Sequence, residues 1–213
     1  MALQARAEAT RRRILDSAVD LFDEMGYGET GLADILQRAG VSKGAFYYHF
    51  DSKEAVATAI IEEYRHKVEA AARAVCDPSA SELENMIKST INSAAILASD
   101  KAAWVGHELL QALSQISSIA SQTYRKWTDE FVAKMSSAIE PWVAQRGIDA
   151  AEAAEAIWVG ILGSHLLSAA IREDHVARLA RSWKLALQML APADAVDGYY
   201  VMLNDFAVAY AVV

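Results

Sequence analysis

Residues 30–54, TGLADILQRAGVSKGAFYYHFDSKE, decide how this chain is read. Leu32, Ile35 and Leu36 recur at the spacing of one helical face and Thr30 can cap them, so the stretch predicts a short amphipathic helix over 31–39. Gly40 closes that helix, because glycine enters the left-handed conformation without a Cβ clash, and Val41 is placed to plug the turn. Ser42 then caps a second helix, Lys43 to His49, with Phe46 inward and Lys43, Ala45, Tyr47, Tyr48 and His49 outward. A helix this short depends on its neighbours for stability. Two short helices joined by a Gly turn, the second basic and aromatic, form the arrangement that presents a recognition helix to the major groove. Gly44 and Ala45 keep its leading end slim, so that backbone and Lys43 approach base edges and phosphates, while Tyr47 and Tyr48 can donate to phosphate oxygens. The expected contacts to double-stranded operator DNA are Thr30, Ser42, Lys43, Gly44, Ala45, Tyr47, Tyr48, His49 and Lys53.

The segment AGVSKGAFYYHFDSKEAV resembles the signature of the TetR family of one-component bacterial repressors. The similarity runs over about residues 10–57 and takes in the first-helix pattern TRRRILDSAVDLFDEMGYGET, where Ile14, Ala18, Leu21, Phe22 and Met25 form one apolar stripe. Two positions depart from the family pattern. Leu36 stands where Ala is usual, which widens the crossing of the two short helices, and Gly31 stands where a second Thr or Ser is common, which removes one potential phosphate donor. The resemblance implies an all-α chain, in which an N-terminal three-helix helix-turn-helix DNA-binding domain, residues 1–53, is joined to a larger helical ligand-binding and dimerisation domain, residues 54–213. The alternative is a helical hairpin whose Gly turn and aromatics serve packing alone.

With 213 residues, 54% of them hydrophobic, and three prolines, the chain can bury a large core and reads as mostly helical. Its net charge of −8 is unevenly spread: residues 1–53 carry seven Lys or Arg against eight Asp or Glu, and the remainder carries thirteen against twenty. Arg11, Arg12, Arg13, Lys43 and Lys53 can therefore form a local basic footprint, and a potential screened over about 8–10 Å is what meets phosphate. Arg11 to Arg13 read equally as a solvated first turn. Cys76 is the one cysteine, which excludes an intrachain disulfide and a cysteine metal cluster and fits a reducing cytoplasm. The start, MALQARAEATRRR, has no apolar signal core, and later apolar runs are punctuated by Gly, Ser and His, so no membrane association is expected.

Breakers and caps organise the rest. A connecting helix runs from near Ser52 to about Val75, stopping before Asp77 and Pro78. Ser79 with Glu82, or Ser81 with Glu84, offers a capping box for a helix to about Ala98, and Asp100 can cap the next. A long helix from about Ser121 to Gln145 is expected to kink or restart at Pro141 and to end at Gly147. Asp149 opens a helix to about Arg172, and another covers 175–190. The segment YYVMLNDFAVAYAVV, 199–213, reads as a terminal helix packed on the body or on a partner. The small residues Gly160 and Gly163 suit close approach of another helix, so a homodimer through residues 151–190 is expected, with Trp158, Gly160, Gly163, Leu167, Ala170, Leu179, Trp183 and Leu187 at the interface. An ordinary buried hairpin is the alternative.

Five Trp residues lie between 100 and 190 among other large apolar side chains. They read as plain core or as the walls of a cavity. Interspersed polar groups favour a cavity for a small hydrophobic or weakly polar effector, lined by Trp104, His107, Leu110, Gln111, Trp127, Phe131, Trp158, Ile161, Leu162 and His165. Within the family, GVSKGAFYYHFDSKEAVA, the isolated Trp127, and GILGSHLLS followed by VARLARSWKLALQMLAP are similar to the γ-butyrolactone receptor group that controls antibiotic production in actinomycetes. That resemblance assigns Trp127 to the ligand. A regulator of an efflux pump sensing lipophilic drugs would show many of the same residues.

Enzyme readings have less to stand on. Glu63 and His66 make a single Glu-x-x-His pair, and a carboxylate-bridged dimetal bundle needs two such pairs and further carboxylates. No Gly-rich phosphate loop or serine elbow is present. No cofactor and no catalytic residue are expected, with a helical metal-dependent oxidase as the remote alternative.

Overall fold

The computed structural model describes residues 2–115, 117–171, 173–192 and 195–210. Among the described residues the regular structure comprises ten α-helices and the 3₁₀ turn Ala144–Arg146, with no strand. The helices are α1 (Ala2–Glu29), α2 (Leu32–Ala39), α3 (Lys43–His49), α4 (Lys53–Ala74), α5 (Glu82–Ser99), α6 (Lys101–Leu113), α7 (Ser118–Val143), α8 (Ala150–Ile171), α9 (His175–Leu190) and α10 (Asp197–Tyr210).

Local chemistry sets the helix ends. Asp100, Asp149 and Asp174 each accept a backbone N–H of the following first turn, from Ala103, from Ala151 and Glu152, and from Ala177. Of the two capping registers open before α5, Ser81 is the one used, its Oγ accepting the Glu84 N–H. Pro141 lies inside α7, which continues to Val143 rather than restarting, and the 3₁₀ turn Ala144–Arg146 follows, closed by Gly147 in the left-handed conformation at φ 67°. Arg172, the expected end of α8, and residues 211–213 of the terminal segment lie outside the described residues.

The helices group into two compact units, residues 1–67 with 100–122 and residues 68–99 with 123–213. The first unit thus includes α6, which the division of the sequence at 53/54 places with the body. Its core is built on α1, where Ile14, Leu15, Ala18, Leu21 and Phe22 are buried. Met25 departs from the expected apolar stripe. It is 43% exposed, at the last position before α1 breaks at Gly26, whose φ is 82°. Helix α6 packs against α1 and α4. A Cβ at Gly106 would fall 2.5 Å from the Tyr64 Cβ and 3.1 Å from the Ile60 carbonyl oxygen, so only glycine permits this approach. Beside it the buried His107 shares hydrogen bonds with the Tyr64 hydroxyl at 3.1 Å and the Gln111 amide at 2.7 Å.

In the second unit α9 is central, packed against α5, α8 and α10. Its apolar stripe, Val176, Leu179, Trp183 and Leu187, is buried among Ile87, Ile91, Met135 and Ile161. The Trp183 indole N–H donates to Thr90 at 2.8 Å, satisfying the one polar group such a burial would strand. At the α8–α9 corner the rings of His165 and His175 meet edge to face, 4.0 Å between centroids.

Two outcomes are expected. Gly106→Ala should overpack the α4–α6 contact and cost about 1–3 kcal/mol, measured as a lower denaturation midpoint. Burial pulls the His175 imidazole from its usual 6.5 down to about 4, with Asp174 opposing weakly. The unfolded chain therefore binds a proton that the folded chain refuses across this window. Stability should fall as pH drops from 6.5 towards 4, by at most about 3 kcal/mol, and His175→Gln should flatten that slope in a pH series of urea melts.

Candidate nucleic-acid interface and effector region

Helix α2 is capped at Gly31, whose N–H donates to Asp34 at 2.8 Å, rather than at Thr30. Thr30 is buried to 1% exposure, and its hydroxyl bonds the Gly26 carbonyl at 2.8 Å and the Leu21 carbonyl at 3.3 Å. The expected DNA contact is thus spent on closing the break at the end of α1. Gly40 ends α2 at φ 61°, with its N–H on the Gln37 and Leu36 carbonyls, and Val41 follows, half-buried. Ser42 caps α3, its Oγ accepting the Ala45 N–H at 3.1 Å. Phe46 is wholly buried, with its ring 6.0 Å from Phe50.

That one anchor leaves the rest of α3 outside. Lys43 and Gly44 are exposed, Tyr47 is 47% and Tyr48 78% exposed, and Ala45 and His49 are half-buried. The Lys43 ammonium sits 5.9 Å from the Tyr47 ring centre, and the Tyr48 and His49 rings meet edge to face at 4.9 Å. Ser42, Lys43, Gly44, Ala45, Tyr47, Tyr48 and His49 therefore share one short helix whose outer surface carries a cation, hydroxyls and an imidazole. Lys53 lies apart from this surface. Its ammonium donates to the carbonyl oxygens of Tyr27 and Thr30, both at 2.7 Å, and rests 4.2 Å from the Tyr27 ring centre.

The broader basic footprint is smaller than the sequence count implies. Arg12 bridges Asp16 and Glu63, and the hydrogen bonds to Asp16 and Glu63 raise its pKa. Arg11 lies 4.0 Å from Glu63, and Arg38 makes a two-point bridge to Glu24 at 2.8 and 2.9 Å. Glu63, the acid of the Glu-x-x-His pair, thus meets arginines, and His66 contacts Arg65. Among the described residues no group of His, Cys, Asp and Glu is arranged to hold a metal ion.

The expected effector residues divide between the two units. In the first, Trp104, His107, Leu110 and Gln111 lie on α6, where His107 and Leu110 are buried and Trp104 sits 6.2 Å from His107. In the second, Trp127 and Phe131 on α7 and Trp158, Ile161, Leu162 and His165 on α8 bring an aromatic group together. The Trp158 indole N–H donates to Thr128 at 2.9 Å, and its ring lies 4.7 Å from Phe131 at an interplanar angle of 30°. Trp127 is half-buried. A nearby apolar crevice lined by Leu83, Trp142, Ile157 and Trp183 has only about 10 Å³ of free space, so a ligand of any size there requires these helices to part.

Residues 14–60 match the sequence profile of the bacterial regulatory proteins of the tetR family. Residues 14–60 thus carry an N-terminal domain of the tetR-family type. Over 69 residues it is 52% identical to the A-factor receptor protein of Streptomyces griseus, a match spanning 32% of this chain and 25% of that receptor's length. The likeness extends over the whole body in solved structures. A crystal structure of a gamma-butyrolactone receptor (ArpA-like protein) superposes with a TM-score of 0.75 at 24% identity, covering 95% of this chain and 99% of the other. CprB from Streptomyces coelicolor, in complex with its biological operator sequence, superposes with a TM-score of 0.74 at 28% identity, covering 94% and 98%.

The expected dimer face is corrected in part. Leu179, Trp183 and Leu187 are 3% exposed or less, because α5 and α8 already use that side of α9. Trp158 faces α7 through its bond to Thr128. Gly160, Leu167 and Ala170 do lie open on α8, with Gly163 half-buried beside them. The sequence reading missed their neighbours Val159, Leu166 and Ile171 on the same face, and Leu185 and Met189 on the outer face of α9, all more than half exposed. The signal was available as large apolar residues one turn apart, opposite each buried stripe.

The two sides of α3 should separate on truncation. Phe46→Ala should cost about 3–5 kcal/mol and melt the helix-turn-helix, whereas Tyr48→Ala should change stability by less than about 0.5 kcal/mol. Urea denaturation of both variants checks this.

Proposed function

We propose that this chain is a ligand-released transcriptional repressor, a homodimer holding two copies of α3 on a pseudo-palindromic operator in the cytoplasm. The observation that carries the reading is α3 itself, pinned by Phe46 and presenting Lys43, Tyr47 and Tyr48 to solvent. The operator-bound relative of similar fold supports it. Dimerisation is supported by the outer face of α8. That helix is long and apolar enough to cross a membrane, yet its open side alternates Val159, Leu166 and Leu167 with Gly160 and Gly163, which suits close packing of a second copy.

The effector is a small, mostly apolar molecule of the γ-butyrolactone type, in keeping with the name of the structurally similar gamma-butyrolactone receptor (ArpA-like protein). It binds in the helical body near Trp127, with Phe131 and Trp158 as further apolar walls and Thr128 and His165 as polar groups for orientation. Binding parts the helices of the second unit. Helix α4 begins in the first unit and ends in the second, so it carries the displacement to the reader. Gly106 and the Tyr64–His107 hydrogen bond make α6 follow α4. By linkage the effector and DNA weaken one another by the same factor, and a coupling of about 1–3 kcal/mol gives about 5–150-fold.

A gel shift on DNA from around the protein's own gene tests the reading, with synthetic alkyl-chain γ-butyrolactones and a lipophilic biocide as probes. The lactone should release the shift, and Trp127→Ala should blunt release at unchanged DNA affinity. Release by the biocide alone would make the chain an efflux-pump regulator, and a Trp127→Ala variant with normal release would remove that residue from the site.

A further inference from the structure

A lysine opening the helix after a recognition helix is naturally read as a phosphate contact, and Lys53 carries that expectation in the sequence. The geometry around it says otherwise. Helix α1 breaks at Gly26, and the following carbonyls run out of helical donors at the C-terminal, partially negative end. The Gly26 carbonyl is met by the backbone N–H and hydroxyl of Thr30, at 3.3 and 2.8 Å. The Tyr27 and Thr30 carbonyls are met by Lys53, each at 2.7 Å. An ammonium has three N–H donors and no acceptor, so two directed bonds to neutral oxygens commit most of its capacity. The Tyr27 ring flanks the charge at 4.2 Å and itself leans on the buried Phe22 at 5.4 Å. Lys53 is the first residue of α4, and Thr30 immediately precedes Gly31, the cap of α2.

We propose that Lys53 is a positioning residue: its ammonium, clasped by the Tyr27 and Thr30 carbonyls, fastens the first turn of α4 to the junction of α1 and α2 and so fixes the pose of the helix-turn-helix. The inference rests on the DNA-binding reading above. It makes the start of α4 and the cap of α2 move together, and it explains why Thr30 and Lys53, both expected at DNA, are turned inward on the same few atoms.

Salt dependence separates positioning from phosphate contact. Each phosphate neutralised by the protein adds about 0.9 to the magnitude of the slope of log K against log salt on duplex DNA. The probe is a duplex enriched by the wild-type protein from a random-sequence pool, titrated with wild type, Lys53→Met and Lys53→Arg across salt concentrations. Lys53→Met should bind about tenfold more weakly at every salt concentration with the wild-type slope, amides of residues 30–34 should exchange faster, and Lys53→Arg should recover part of the affinity. A slope reduced by about 0.9 in Lys53→Met would make Lys53 a phosphate contact and overturn the proposal. Unchanged affinity and exchange would overturn it as well. Failure of the wild-type protein to enrich any duplex would instead remove the DNA-binding reading, and the proposal with it.

Discussion

A seven-residue helix does not hold its shape in water, so α3 exists because Phe46 is taken wholly out of solvent beneath it. Everything proposed for DNA depends on that burial. With Phe46 locked, the Ser42 cap and the left-handed Gly40 set where the helix begins, and Lys43, Tyr47 and Tyr48 have no direction left but outward. The same constraint explains the neighbouring devices. Lys53 and Thr30 close the break at Gly26, and Gly106 lets α6 lie directly on α4, so the short helix stands on a base whose parts are individually fixed.

Charge follows a similar logic. The reader's residues are nearly neutral in sum, and many of its basic groups are spent within the unit: Arg11 and Arg12 on Glu63, Arg38 on Glu24, and Lys101 on Asp20 at 2.6 Å. These exposed pairs contribute little stability each, about 0–1 kcal/mol. Their larger consequence is to offset those cations within the unit, while Lys43 stays exposed on α3. An acidic chain can then bind DNA locally while its body repels phosphate, which favours a defined site over indiscriminate attachment.

The fold was largely legible in the sequence because it is written in short-range chemistry. Asp100, Asp149 and Gly147 mark helix ends that the structure places where they were expected, and 175–190 forms one helix from first residue to last. The turn at Gly40 and the inward Phe46 were equally readable. What failed depends on partners distant in sequence. The stripe of Leu179, Trp183 and Leu187 announces a buried face without saying whose, and Thr90, 93 positions earlier, settles it by taking the Trp183 N–H. Thr30 looks like a cap until Gly26 turns the backbone and claims its hydroxyl. Met25 belongs to the stripe of α1 by period and lies outside it, at the last position before the same break. Among the effector residues, Phe131 and Trp158 were brought together by a shared face of α7 and α8, which periodicity alone does not encode.

The central claim is that two copies of this reader act as a symmetric pair, and the pattern of duplexes enriched from a random-sequence pool by the purified protein tests it most directly. The account predicts an inverted repeat whose half-site centres lie about 34–36 Å, or a multiple of that, apart. Enrichment of a single asymmetric half-site, or of nothing at low salt, would contradict it.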